Sequence, residues 1–211
     1  MSAPSDPDSP TPAERPLIAF DLDGVLARPP FGRNVTIQRN LALQPVAPDR
    51  VDLATARDGP RFSIVDRLLA ATYYRARYVQ RAIMPQAVEA IAAATVHHRV
   101  IVLTARNGRG RASTEAWLAK HGVLPSLDGV LMNSSGLPSA QFKRAALEQI
   151  GAVRHVDDDA ATAALVARAG IAVDLIDWPR NRDLRYPDGV TRRADLGALI
   201  ASFDAAPLQG D

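Results

Sequence analysis

Two aspartates one residue apart, Asp21 and Asp23, end the apolar run Leu17 to Phe20, and Gly24 follows at once. On extended backbone, residues two apart share a face, so both carboxylates are delivered to the same side. Three more polar groups stand at comparable places. The run 99–104 ends on Thr104, followed by Ala105, Arg106 and Asn107; Lys143 sits inside a segment of helical period; the run 152–156 ends on Asp157, Asp158 and Asp159. Carboxylates brought together resist ionising unless a cation joins them. An oxygen-only set of two or three aspartates suits Mg²⁺, which takes a few carboxylates and keeps room for water and phosphate oxygens. A phosphate neutralised in this way is open to attack by a carboxylate, giving an aspartyl-phosphate. The second aspartate could protonate the leaving oxygen and afterwards deprotonate a water. Thr104 and Lys143 offer the hydroxyl and the cation that phosphoryl transfer requires at the equatorial oxygens.

Each group has an ordinary alternative when taken alone. An isolated Asp-x-Asp-Gly is also a turn, Thr104 a strand-end cap and Lys143 a solvated helix residue. Asp157 to Asp159 before "AATAAL" could only cap a helix and favour its dipole. What is specific is the joint occurrence of all four in this order.

The elements that must position them are legible. "LIAF" (17–20), "RVIVLT" (99–104), "GVLM" (129–132) and "AVRHV" (152–156) are consecutive aliphatic runs of the kind buried on both faces of a parallel sheet, and "AVDLID" (172–177) is a more polar fifth. Segments of helical period lie between them: "QAVEAIAAATVHH", "RASTEAWLAKHG", "AQFKRAALEQIG" and "AATAALVARAG". Gly122, Gly151 and Gly170 stand where helices should stop. Strands alternating with helices predict an α/β fold, a doubly wound, Rossmann-type parallel sheet. In such sheets ligands gather outside the carboxyl ends of the strands, which is where the polar groups fall.

Residues 28–84 break the pattern. The first part is irregular and proline-rich, whereas "RFSIVDRLLAATYYRARYVQRAI" carries a helical apolar stripe, so this segment is expected to be a small helical cap inserted after the first strand. Its Arg67, Arg75, Arg77 and Arg81, with Tyr73, Tyr74 and Tyr78, could hold a phosphate and stack on a base, or simply form a solvated face and part of the core. The expected organisation is a disordered tail over 1–15, a core of 16–27 with 85–211, and the cap between.

The whole chain bounds the rest. At 211 residues and 47% hydrophobic content it can bury a sizeable core. Lys and Arg number 25 against 23 Asp and Glu, weak support for a nucleic-acid partner. The absence of cysteine excludes thiol chemistry and disulfides, and the polar N-terminus lacks the apolar stretch of a secretory signal. No apolar run is long enough for a membrane span, so a cytoplasmic protein is expected. His97, His98 and His121 fall at helix ends, where positive charge suits the dipole; His155 lies inside the acidic strand as a packed residue, and Trp117 and Trp178 are expected as core and loop anchors.

The order Asp-x-Asp-Gly, Thr, Lys and an acidic pair resembles the haloacid dehalogenase (HAD) superfamily of phosphohydrolases, over about residues 16–180. Position by position, the resemblance implies Asp21 as nucleophile and Asp23 as general acid and base. It implies Thr104, Ala105 and Lys143 as the phosphate site, and Asp21, Asp23, Asp158 and Asp157 as the residues around Mg²⁺. Aligned on Ala169 and Gly170, Asp158 is the direct ligand of the acidic motif, Asp157 its supporting partner, and Asp159 replaces a small residue. An acid at position 23 favours an alkoxide leaving group over halide displacement. "DWPRNRD" (177–183), followed by "GVTRRADLGALIASF", is similar to a segment of HAD 5'-nucleotidases of the deoxyribonucleotidase type. "LTARNGRGRASTEAWLAKHGV" is similar to part of the polynucleotide 3'-phosphatase branch. The resemblance implies a Mg²⁺-dependent phosphatase of a small phosphate ester, a nucleotide foremost, with nucleic-acid 3' ends or an idle phosphate- and Mg²⁺-binding module as alternatives. Arg106, Asn107, Arg75 and Tyr78 are the candidate substrate contacts. A receiver-like signalling domain is disfavoured, because there the acidic pair comes early and the Lys late.

Overall fold

The structure, a computed structural model, describes residues 14–29, 50–58 and 80–204. Its centre is a six-stranded sheet in which every pairing is parallel, in the order β3-β2-β1-β4-β5-β6. The strands are β1 (Leu17–Phe20), β2 (Arg99–Asn107), β3 (Gly129–Asn133), β4 (Ala152–Asp157), β5 (Ala172–Ile176) and β6 (Val190–Arg193). The helices are α1 (Leu53–Asp58), α2 (Ala87–His97), α3 (Arg111–Lys120), α4 (Ser139–Ile150), α5 (Ala160–Ala167) and α6 (Leu196–Asp204).

The consecutive aliphatic residues of the central strands are explained by helices on both faces. Ile18 and Phe20 of β1 join Val100, Val102 and Val156 in one core, covered by Ile91 of α2, Trp117 of α3 and Leu199 and Phe203 of α6. Leu17 and Ala19 join Ile101, Leu103 and Leu175 in the other, covered by Phe142 and Leu147 of α4 and Val166 of α5. With both faces buried, the interior positions of the central strands are mostly apolar, with Arg154 and His155 of β4 and Asp174 of β5 as exceptions. Polar residues therefore collect at the carboxyl ends.

The punctuation matches the sequence. Gly122, Gly151 and Gly170 all take positive φ, 72°, 66° and 83°, where their helices stop. β2 runs three residues beyond the aliphatic stretch that predicts it, through Ala105, Arg106 and Asn107. Residues 50–58, inside the expected cap segment, bring Val51 and Ala56 into the core with Leu131 and Phe142, and Arg111 of α3 reaches the Ala56 carbonyl. Residues 30–49 and 59–79, which hold most of that segment, lie outside the described residues, as do 1–13 of the expected tail. No described helix is long and apolar enough to cross a membrane.

Candidate active site

β1 and β4 are neighbours, with Phe20 paired to Val156 and the Asp21 amide donating to the Val156 carbonyl at 2.8 Å. Asp21 and Asp157 thus emerge side by side. Lys143, on the helix leading into β4, lies between them: its Nζ is 3.0 Å from Asp21 Oδ2 and 2.8 Å from Asp157 Oδ2. The side chain is buried, which opposes its charge. Asp157 and then Asp21 outweigh that, so the ammonium holds its proton more tightly than an ordinary lysine.

Asp157 is fully buried and fully bonded. Its Oδ1 accepts the amides of Asp158 (2.8 Å) and Asp159 (2.9 Å), and its Oδ2 faces Lys143 and His155 Nε2 at 2.7 Å. Burial works to protonate it; Lys143 and His155 outweigh burial and hold it below the usual carboxylate range. His155 Nδ1 is 3.0 Å from the Ala19 carbonyl, which can only accept, so Nδ1 carries a proton. His155 is packed, as its place in the strand predicts, and it is also a partner of Asp157, which the strand pattern alone did not distinguish.

One carboxylate oxygen from each of Asp21, Asp157 and Asp158 lies within 4.8 Å of the others. Burial pushes the Asp21 carboxyl up to about 6, with Lys143 opposing and Asp157 and Asp23 adding to the rise. Burial likewise pushes Asp158 well above its ordinary range, against Arg180 and with Asp157 and Asp21. Two buried carboxyls that resist ionising, next to a third already engaged by two amides, Lys143 and His155, form a site short of positive charge. A hard divalent cation fits there, with Asp21 and Asp158 offering carboxylate oxygens. Asp159 does different work: its Oδ1 accepts the Thr162 amide at 2.9 Å and caps α5.

The segment after β5 holds Asp158. Arg180 Nη2 donates to Asp158 Oδ2 at 2.8 Å and to its carbonyl at 3.0 Å. Asn181 Nδ2 donates to the same carbonyl (3.0 Å) and to Ile176 O (2.9 Å), while its Oδ1 accepts the Trp178 amide (2.9 Å). Trp178 Nε1 in turn donates to the Gly24 carbonyl at 3.0 Å, an anchor as expected. Gly24 has φ +92°, and a Cβ there would stand 1.9 Å from Asp158 Oδ2. The glycine of Asp-x-Asp-Gly is therefore required twice, by its backbone and by the carboxylate pressed against it.

Asp23 faces elsewhere. Arg106 grips its carboxylate with two bonds, Nε to Oδ2 at 2.7 Å and Nη2 to Oδ1 at 2.6 Å, and Arg81 Nη1 binds Oδ1 as well. Burial would raise its proton affinity; Arg106 and Arg81 outweigh burial and hold it below the usual range. Its side chain accordingly stands apart from the acidic cluster, unlike the other three residues expected around the metal. Thr104 is buried in β2, and its Oγ1 accepts the Arg106 amide at 3.3 Å. Ala105 is half-buried beside it. Asn107 is exposed and turned to a local task, accepting the Arg109 amide at 2.9 Å. Arg75 and Tyr78 lie outside the described residues. Sequence reasoning passed over the grip of Arg180 and Asn181 on Asp158 and of Arg81 on Asp23; for the first, "DWPRNRD" was the available signal.

No family model matches the sequence, and no curated protein matches it significantly. Solved structures do match in shape. A haloacid dehalogenase-like hydrolase of Streptococcus pneumoniae superposes with a TM-score of 0.57 at 17% identity, covering 90% of this chain and 99% of that one. L-2-haloacid dehalogenase of Xanthobacter autotrophicus gives 0.52 at 12%, covering 92% and 100%. A HAD-superfamily hydrolase of subfamily IA from Geobacter sulfurreducens gives 0.51 at 15%, covering 90% and 96%. The parallel sheet, its strand order and these likenesses agree that the chain has the fold of the haloacid dehalogenase-like hydrolases.

Proposed function

We propose that this protein is a Mg²⁺-dependent HAD-type phosphatase that hydrolyses a small phosphate monoester, a nucleotide foremost, through an aspartyl-phosphate on Asp21. The observation that carries this reading is the pair of buried, cation-seeking carboxylates, Asp21 and Asp158, beside the Lys143 ammonium, with a second acid, Asp23, two residues from the first. Mg²⁺ held by Asp21 and Asp158, and backed by Asp157, would neutralise the phosphate and favour attack by an anionic oxygen.

Asp21 is the nucleophile. Its carboxylate forms the bond to phosphorus while the bond to the ester oxygen breaks, and Asp23, which takes up a proton as it leaves Arg106 and Arg81, gives that oxygen its proton. Asp23 then takes a proton from the water that attacks the aspartyl-phosphate, releasing inorganic phosphate and restoring Asp21. Thr104, Ala105 and Lys143 line the phosphate site, and Asp157 fixes Lys143 without needing to touch substrate. Arg106 serves the substrate side, with Arg75 and Tyr78 assigned there from the cap segment 28–84. L-2-haloacid dehalogenase shares the fold, so the fold does not choose between reactions. Asp23 does, because an alkoxide needs an acid to leave and a halide does not.

Phosphate release from nucleoside monophosphates, sugar phosphates and a 3'-phosphorylated oligonucleotide, with Mg²⁺ and with excess chelator, tests the reading. Metal-dependent release concentrated on mononucleotides is expected; release from the oligonucleotide alone would move the activity to nucleic-acid ends. Asp21→Asn is expected to abolish turnover, and Asp23→Asn to lower kcat at least about a hundredfold while substrate still binds. Full activity in either variant would overturn these roles.

A further inference from the structure

Asp158 lies between the end of β4 and the start of α5, and side chains engage both of its main-chain groups. Its amide donates to Asp157 Oδ1 at 2.8 Å, and its carbonyl accepts Arg180 Nη2 and Asn181 Nδ2, each at 3.0 Å. Arg180 Nη2 also donates to the carboxylate, whereas Asn181 acts on the backbone that carries it. Asn181 is 0% exposed, and every polar atom of its side chain has a partner. Nδ2 directs both protons to carbonyls, those of Asp158 and Ile176, and Oδ1 accepts the Trp178 amide. The Asn181 carbonyl in turn accepts the Tyr186 hydroxyl at 2.7 Å. A carboxylate or an aliphatic chain of the same size would lose both donations. The same loop reaches the other side of the acidic cluster. Trp178 Nε1 donates to the carbonyl of Gly24, the residue against which the Asp158 carboxylate is packed. Residues 178–181 therefore bridge the turn that follows Asp21 and the turn that carries Asp158.

We propose that Asn181 and Trp178 are positioning residues for the metal site: through the main chains of Asp158 and Gly24 they hold the Asp158 carboxylate within reach of the cation that Asp21 binds. This deepens, and rests on, the metal-dependent phosphatase reading. Their effect passes through the backbone and not through contact with cation or ester. Partners that orient a ligand from behind are worth about 10–100-fold in metal affinity. Two hydrogen bonds to carbonyls, one on each turn, are the means by which this loop supplies such an orientation.

The test is calorimetric titration of the full chain with Mg²⁺, together with the Mg²⁺ concentration that gives half-maximal phosphate release from p-nitrophenyl phosphate. Asn181→Leu removes the amide without adding charge, and Trp178→Phe keeps a ring while removing the indole donor. Mg²⁺ binding is expected to weaken about tenfold or more in the first and about threefold or more in the second, with most of kcat regained at saturating Mg²⁺. A purely structural role would lower Tm and the active fraction and leave the Mg²⁺ constant where it was. Phe203→Leu supplies that comparison. It loosens the packing of α6 on His98 and Arg154 and should lower Tm with native Mg²⁺ affinity. Native affinity in Trp178→Phe, or in a folded Asn181→Leu, overturns the proposal; if Asn181→Leu does not fold, Trp178→Phe decides alone. That result leaves the phosphatase reading intact when the unaltered protein binds Mg²⁺ and releases phosphate, and calorimetry decides even where p-nitrophenyl phosphate is not hydrolysed. If the unaltered protein neither binds Mg²⁺ nor releases phosphate from any ester, the phosphatase reading itself fails and this assignment falls with it.

Discussion

Replacing Lys143 with methionine removes a cation bridging Asp21 and Asp157, keeping about the same volume in a side chain that is 3% exposed. Breaking a buried ion pair from one side costs about 3–5 kcal/mol, because the remaining charge is stranded. Two carboxylates are stranded here, but the cost does not double, since Asp21 already titrates at about 6 and can take up a proton. For a chain of this length, that loss corresponds to a fall in Tm of about 6–20 °C. The pH dependence is the sharper signature. Without Lys143, the folded-state pKa of Asp21 rises further above that of the unfolded chain, and that of Asp157 is no longer held as far below it. A carboxyl with a raised folded pKa contributes its stability below the unfolded value and loses it as pH rises through the folded one. The loss at Asp157 is already present near about pH 5, and the loss at Asp21 adds to it as pH rises, so the deficit in chelator is expected to grow between about pH 5 and about pH 8, and Mg²⁺ should return part of it at the higher pH. Thermal unfolding of both proteins at the two pH values, with and without metal, measures all of this. A deficit under about 1 kcal/mol, or one equal at both pH values, would refute the reasoning and return Lys143 to the status of a solvated helix residue.

Gly24→Ala should cost at least about 2 kcal/mol in strain and displacement and weaken Mg²⁺ binding tenfold or more, because the new Cβ occupies the place of the Asp158 carboxylate; calorimetry showing native affinity would contradict that packing. Because burial pushes the Asp21 carboxyl up to about 6 and Asp158 also resists ionising, Mg²⁺ affinity should rise between about pH 5 and pH 7 as Asp21 loses its proton. An affinity flat across that range would show that these carboxylates are not the ligands.

How much of this was legible in the sequence follows from what period and spacing encode. The strands could be placed because chains buried on both faces run aliphatic without alternation, and the helix stops because a left-handed residue there selects glycine. Asp21, Thr104, Lys143 and the acidic triplet could be assembled because a parallel sheet delivers strand ends to one side. Side-chain direction was the hidden part. Asp157, Asp158 and Asp159 are the same residue three times in a row, yet one is engaged by two amides, Lys143 and His155, one is pressed on Gly24 and turned to Asp21, and one caps α5. Such a division depends on β4 ending at Asp157 and the chain turning into a helix two residues later. Asn107 and Arg106 differ for the same reason: one lies at an exposed turn, the other reaches back across β2 to Asp23. The partnership of Arg180 with Asp158 spans 22 residues, a separation that no local periodicity carries.

The proposed nucleophile and the proposed acid, two residues apart, are built on different kinds of ground. Asp21 has its own amide in the ladder between the two central strands, so its position can shift only if the sheet shears. Asp23 stands one step beyond, in a bend where Leu26 and Ala27 turn back onto the Leu22 carbonyl, and its carboxylate is held by side chains alone. Attack on phosphorus demands in-line alignment, and a fixed nucleophile removes that search from every turnover. Proton traffic demands the opposite, a group that can visit first an ester oxygen and then a water. The reorganisation of each cycle thus falls on a tethered carboxylate at the rim, and the alignment has already been set when the chain folds.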